Sequence, residues 1–256
     1  MQYKEYGREN GKIIVLLHGG GLSWWNYREA AQLLQHKYRV ILPILDGHGG
    51  SDRPFTTIED NAAQIIQFIS ETFGGTVELI GGLSLGGQIL LEILTQRPNI
   101  CRHAVVESAL VSPSRLTHAM IAPAFGSCYR LIKRPWFAKL QFRSLRIQNP
   151  LFNDYFRDTC AITKESMIAF MQANALYELK TAAGKCTAKV HVLVGERENR
   201  AMHRSAARIC QVLPTAQLQI LPGLYHGEFS LNHAADYVQM IQEQIEQSKP
   251  RVKRVV

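Results

Sequence analysis

The segment Gly82-Leu83-Ser84-Leu85-Gly86 holds the residue types and spacing in this chain best suited to covalent chemistry. In a G-x-S-x-G pattern the serine sits on a sharp strand-to-helix turn, and its neighbours two positions away must be small to let the chain pass. The turn lifts the hydroxyl clear of the sheet. It also leaves the Leu85 amide at a helix N-terminus, where partial positive charge favours an oxyanion. A serine nucleophile needs a base, and the base needs an acid to orient it. Of the nine histidines, His226 stands in a loop, Leu221–Gly227, between a predicted strand and the last predicted helix. His191 lies inside an apolar strand and reads as a core residue, while His18 and His48 belong to glycine turns and read as structural. For the acid, Val194-Gly195-Glu196-Arg197-Glu198 ends the preceding strand and offers Glu196 and Glu198; Glu107 follows another strand.

A second glycine-rich segment, His18-Gly19-Gly20-Gly21, comes directly after the apolar run Ile13–Leu17. Glycines there let a backbone N–H point at a neighbouring reaction centre. A phosphate-binding loop is the competing reading, but neither G-x-G-x-x-G nor G-K-[ST] is present.

The elements that must position these residues alternate along the chain. Short β-branched runs recur at Ile13–Leu17, Val40–Leu42, Val77–Ile80, Ala104–Val106, Val190–Val194 and Leu218–Leu221. Several are continuously apolar, as strands buried on both faces of a parallel sheet are. Between them the spacing predicts helices. Thr57-Ile58-Glu59-Asp60 resembles a capping box, Ile58, Ala62, Ile65, Ile66 and Ile69 share a face, and Gly74-Gly75 stops the helix. Gly86–Gln96, Thr163–Leu179 and Ala234–Glu246 read similarly. This alternation predicts an α/β fold with right-handed crossovers, its functional residues at the carboxyl ends of the strands. From Ser112 to Lys185 the rhythm breaks into helical patterns without a core strand, with eleven Lys and Arg against four Asp and Glu. That stretch reads as a helical insertion sitting on the sheet. The basic tail Lys249–Arg254 reads as a solvated end.

Composition narrows the class. The 256 residues are 46% hydrophobic and 20% charged, which excludes a disordered or fibrous chain. The run Ile13–Leu17 is five residues long against the roughly 20 that a membrane helix needs. Lys4, Glu5, Arg8 and Glu9 interrupt the start, so no secretory apolar region is expected there. Five scattered cysteines without a CxxC pair read as reduced thiols, neither a disulfide framework nor a zinc site. The expectation is a soluble cytoplasmic protein. A net charge of +8 would suit an anionic partner, but no nucleic-acid motif accompanies it.

Taken in order, His18-Gly19-Gly20, Asp46-Gly47-His48-Gly49-Gly50-Ser51, Gly82-Leu83-Ser84-Leu85-Gly86, Val194-Gly195-Glu196-Arg197-Glu198 and Tyr225-His226 resemble the α/β-hydrolase superfamily, particularly its small, lidded esterase-like members. The resemblance runs over essentially the whole chain and preserves the order Ser…acid…His. It implies an α/β-hydrolase fold, a mostly parallel central sheet flanked by helices with a helical lid before the last strands. The core would be residues 1–111 and 186–256, and the lid residues 112–185. It further implies Ser84 as nucleophile, His226 as general base, Glu198 as orienting acid, and the Gly20 and Leu85 amides as an oxyanion hole. Family members of this type usually carry Asp where this chain has Glu198, which keeps Glu196 and Glu107 as rivals. A serine at the elbow argues against the haloalkane dehalogenases and epoxide hydrolases, where an Asp would stand.

The insertion mixes cations and aromatics between Tyr129 and Arg143. A basic amphipathic helix could touch an anionic membrane or receive an acidic substrate. The simpler account is a solvated outer face, with Pro135 dividing the segment. Trp136 and Phe137, with Trp24 and Trp25 beside the oxyanion loop, are expected as walls of an apolar acyl pocket. The expected activity is hydrolysis of a small carboxylic ester, thioester or lactone through an acyl-enzyme, with no metal or organic cofactor. Two alternatives stand: cleavage of a carbon–carbon bond or a lyase reaction by the same triad, and a non-catalytic ligand receptor on the hydrolase fold.

Overall fold

Along the strand Lys12–Leu17 (β2), Ile14 and Leu16 pack into one apolar layer while Val15 and Leu17 pack into another. This period-two division explains why the strand is apolar without interruption from Ile13 to Leu17, and it recurs along the central strands. The computed structural model describes residues 1–246, so the basic tail Lys249–Arg254 lies outside the described residues. Seven strands form one sheet: Tyr3–Tyr6 (β1), β2, Tyr38–Pro43 (β3), Val77–Leu83 (β4), Cys101–Glu107 (β5), Lys189–Gly195 (β6) and Ala216–Leu221 (β7). Their spatial order is β1-β3-β2-β4-β5-β6-β7, and only the β1–β3 pair is antiparallel. The edge strand β7 departs from the buried pattern, leaving Leu218 and Ile220 exposed.

Helices Ile58–Phe73 (α2), Leu85–Gln96 (α3) and Arg200–Val212 (α8) pack into the layer that contains Val15 and Leu17. Helices Arg28–Leu34 (α1) and Ala234–Glu246 (α10) pack into the layer of Ile14 and Leu16, and the short helix Glu228–Asn232 (α9) joins them there. Local chemistry sets the ends of α2. The Thr57 hydroxyl accepts from the Asp60 amide at 3.0 Å, and Gly74 takes φ 71° beyond the last turn. From Leu85 to Leu94, α3 is buried on all sides; its two polar residues are partnered, Gln88 by Asn174 and Glu92 by Lys180 at 2.8 Å.

Because β3 and β4 lie on opposite sides of β2, the chain reverses its winding there. The carboxyl ends of β2 and β4 then flank a crevice, the place where open α/β sheets bind ligands. The glycine loop after β2 and the serine turn after β4 both open into it.

Between β5 and β6 the chain inserts four helices: Arg115–Ile132 (α4), Pro135–Ser144 (α5), Phe152–Ala161 (α6) and Lys164–Leu176 (α7). Pro135 occupies the first turn of α5, where a missing N–H costs nothing, so it starts a helix where it ends the previous segment. The helix expected over Thr163–Leu179 stops at Leu176, and Tyr177 continues in extended backbone.

Buried polar contacts pin α6 and α7 to the core. Trp25 Nε1 donates to Asp158 Oδ2 at 2.9 Å, and Arg157 Nε holds the other oxygen at 2.7 Å. Gly49 lies so close to Asp158 that a side chain there would meet its Cβ at 2.7 Å. On α7, Asn174 Nδ2 donates to Gln88 Oε1 at 2.9 Å, and Gln88 Nε2 donates back to the Asn174 carbonyl at 3.0 Å. Trp25→Phe removes one donor from a buried carboxylate, and is expected to lower the unfolding free energy by about 1–3 kcal/mol. A urea titration reads this as a lower midpoint; an unchanged midpoint would show that Asp158 is not a structural anchor.

Candidate active site

Ser84 stands between the last residue of β4 and the first of α3 with φ 53° and ψ −111°. A side chain on Gly82 would run into the Gly86 carbonyl, and one on Gly86 into the Leu17 carbonyl of β2. Both glycines are therefore required by close backbone approach, the reason the pattern demands small residues at these two positions. The Ser84 amide donates to the Glu107 carbonyl at 2.8 Å, which ties the turn to the end of β5.

That β5 end leads to the two other candidate residues. Ser108, at φ 54°, donates its hydroxyl to Glu198 Oε1 at 2.8 Å and accepts from the Gly227 amide at 3.3 Å. Glu198 Oε1 also accepts from the Gly195 amide at 2.8 Å, and Glu198 Oε2 accepts from His226 Nδ1 at 2.8 Å. With Nδ1–H given to Glu198, the neutral ring keeps its lone pair on Nε2. Burial opposes charge on Glu198, but the His226 hydrogen bond and charge, the Gly195 amide and the Ser108 hydroxyl outweigh it and hold the carboxyl below its ordinary range. The Gly227 turn packs on Leu83, the residue before Ser84. The hydroxyl of Ser84 takes no hydrogen-bond partner among the described residues, a looseness common before substrate binds.

The rival acids are elsewhere. Glu196 is exposed and accepts from the Gly223 amide at 2.7 Å. Glu107 is buried in the layer beneath, accepting from the Ser230 amide at 3.2 Å. Glu198 carries the one carboxylate that the structure joins to His226.

Gly20 and Leu85 both border the cavity beside Ser84, and neither amide is taken up by another hydrogen bond among the described residues. Two buried histidines frame the loop that carries Gly20. His18 Nδ1 pairs with the Gly19 carbonyl at 2.9 Å and its Nε2 accepts from the Leu45 amide at 3.1 Å. His48 Nδ1 pairs with the Asp46 carbonyl at 3.0 Å and its Nε2 accepts from the Gly21 amide at 3.0 Å. Burial pushes His18 well below its ordinary range and His48 down to about 4. Both rings are neutral, fully engaged linkers of backbone.

Ser84 opens into a cavity of about 610 Å³, walled by Leu116, Met120, Ile121 and Phe125 of α4 and by Phe170 and Met171 of α7. None of the four aromatics expected as pocket walls borders it. Trp25 is buried as the Asp158 anchor. The Trp24 ring lies under the Arg28 guanidinium at 4.7 Å on the core surface. Trp136 is 63% exposed, edge-on to a half-buried Phe137 with centroids 5.6 Å apart. Sequence proximity to a glycine loop or to the insertion did not tell which side of each helix would face inward. Ser108 belongs to no motif in the sequence; its one signal there is the dipeptide Glu107-Ser108 at a strand's carboxyl end.

Glu107 carries a consequence for stability. Burial raises its carboxyl from the ordinary 4.5 to about 7. Between those values the native state holds a proton that the unfolded state has released, so stability falls as pH rises through that window. Glu107→Gln, which cannot ionise, is expected to remove this fall. Its melting temperature relative to the parent should rise from below pH 4.5 to above pH 7, and a pH-independent difference would refute the assignment.

The comparisons with known proteins agree with this architecture. The chain is 30% identical over 133 residues to an AB hydrolase superfamily protein of Gibberella zeae, covering 48% of this chain and 45% of that one. The chain spans about half the length of the curated relatives it matches first. Among solved structures, an esterase from Exiguobacterium antarcticum superposes with a TM-score of 0.80 at 19% identity, covering 95% of this chain and 94% of the esterase. A thermophilic esterase from Thermogutta terrifontis gives 0.78 at 18% identity, covering 96% and 93%. At these identities the likeness is one of fold. A family model described as the alpha/beta hydrolase family matches residues 14–240, and the chain belongs to that family.

Proposed function

We propose that this chain is a serine hydrolase that cleaves a small carboxylic ester, thioester or lactone through an acyl-enzyme, with residues 112–185 as the cap over its site. The observation that carries the reading is the 2.8 Å contact between His226 Nδ1 and Glu198 Oε2 beside a serine held on a strained turn. Ser84 Oγ attacks the carbonyl carbon while His226 Nε2 takes its proton. The negative charge that develops on the carbonyl oxygen is held by the Gly20 and Leu85 amides; one well-placed donor of this kind contributes roughly 3–4 kcal/mol. Collapse of the tetrahedral intermediate expels the alcohol or thiol, which receives the proton from His226. Water then gives a proton to His226, attacks the acyl-serine, and releases the carboxylic acid and Ser84.

Glu198 fixes the ring tautomer and stabilises the imidazolium that forms at each step. Ser108 and the Gly195 amide fix Glu198 in turn, which accommodates the extra methylene of Glu. The apolar walls of α4 and α7 suit the acyl part of the substrate. The solved esterases with the same fold support this choice within the family.

A small fluorophosphonate is expected to add once, at Ser84, by intact mass and peptide mapping. Ser84→Ala should lose the adduct and at least about 10⁴-fold of kcat on a nitrophenyl ester, with folding intact. Glu198→Gln keeps the side chain's shape but favours the wrong tautomer, and is expected to lower kcat by about 10³–10⁴. Full turnover by Ser84→Ala, or no adduct on folded protein, would sink the reading. Turnover of a diketone without turnover of esters would move the same residues to carbon–carbon cleavage.

A further inference from the structure

Between Glu107 and Asp154 the chain contains no carboxylate, yet it carries seven Lys and Arg residues from Arg115 to Arg146. All seven are exposed. Among the described residues none of them forms an ion pair, though Lys133, Lys139 and Arg146 lie over the rings of Tyr129, Phe152 and Tyr225, whereas Arg157, just beyond the stretch, is paired with Asp154 and Asp158. Helices α4 and α5, which carry four of the seven, also expose large apolar side chains. Leu116 is 75% exposed, Met120 60%, Trp136 63% and Leu140 61%.

On α5 the two kinds of residue share a face. Trp136, Lys139, Leu140 and Arg143 follow the i, i+3, i+4, i+7 spacing, opposite the buried Ala138 and Phe142. That outer face offers apolar tips and long aliphatic cations, with no Asp, Glu, Asn or Tyr for specific hydrogen bonding. Such a face fits a partner that is anionic at its surface and apolar just beneath. On α4, Leu116 and Met120 are at once exposed and part of the cavity wall that reaches Ser84. An apolar path therefore runs from the outer surface of the insertion into the site.

We propose that the α4–α5 face docks on an anionic lipid bilayer, with Trp136 and Leu140 at the acyl boundary and the unpaired cations among the lipid phosphates. Docking is independent of the hydrolase reading. Delivery of a lipid-derived acyl chain along Leu116 and Met120 rests on that reading.

The test is co-sedimentation of the full chain with vesicles of phosphatidylcholine alone and of phosphatidylcholine mixed with phosphatidylglycerol. Binding is expected only to the mixed vesicles and should weaken as salt rises. Lys139→Glu with Arg143→Glu should weaken it by about tenfold or more. Trp136→Ala with Leu140→Ser should weaken it at every salt concentration. All four positions are exposed, so thermal unfolding of both variants should match the parent. Fluorophosphonate labelling of Ser84 in solution, read alongside, separates failure of docking from failure of the hydrolase reading. The proposal is overturned by absence of binding to the mixed vesicles, by equal binding of parent and variants, or by retention on an acidic polypeptide without vesicle binding.

Discussion

Ser84 holds a backbone conformation that costs an L-residue about 1–3 kcal/mol, and the surrounding structure over-determines it. β4 enters the turn from the middle of the sheet and α3 leaves it buried on every side. Gly82 and Gly86 let the two arms close on each other and on β2, where any Cβ would collide with backbone. The amide of Ser84 is taken by β5. Relaxing the serine would require moving the most buried helix of the protein away from the centre of its sheet. The same constraint leaves the Leu85 amide unpaired at the start of α3 and points the crevice toward the insertion.

Around this point a hydrogen-bond network ties Glu198 and His226 to backbone and to Ser108. Ser108 is its hinge: one hydroxyl joins the carboxylate of Glu198 to the amide beside His226, from a second strained position on the adjacent strand. Buried neutral His18 and His48 do comparable work on the opposite side, holding the Gly20 loop through four backbone contacts. Phe170 stacks on His48 at 4.6 Å and faces the cavity, so α7 closes the site against the loop that would hold the oxyanion.

The insertion divides by the way it is attached. α6 and α7 reach the core through buried hydrogen-bonded pairs, Trp25–Asp158 and Gln88–Asn174. α5 packs on the insertion itself, where Phe142 meets the rings of Phe152 and Tyr155 on α6, and turns cations and Trp136 outward. Buried polar pairs require one geometry, because a lost partner leaves a desolvated group, while apolar contacts tolerate shifts. α4 and α7 form the wall beside Ser84, and the outer face of α5 presents a surface.

Much of this was legible from local chemistry. Short runs rich in β-branched residues mark six of the seven strands, Thr57 and Gly74 mark the ends of α2, and the motifs name Glu198 and His226, which meet beside Ser108. β1 escaped because Tyr-Lys-Glu-Tyr carries charge in an exposed edge. α8 escaped because its core face includes Ser205 and Ala206, whose apolar signal is weak. What the sequence determined by itself were features of short range: turns that demand glycine, caps, strand runs and the identity of reactive groups. Only the tertiary structure decided which of Glu196, Glu198 and Glu107 reaches His226, that Ser108 supports that contact, and that Trp25 anchors while Trp136 is exposed. Those outcomes depend on which side of an element meets a neighbour distant in the chain, and a residue's own type and spacing leave that direction open.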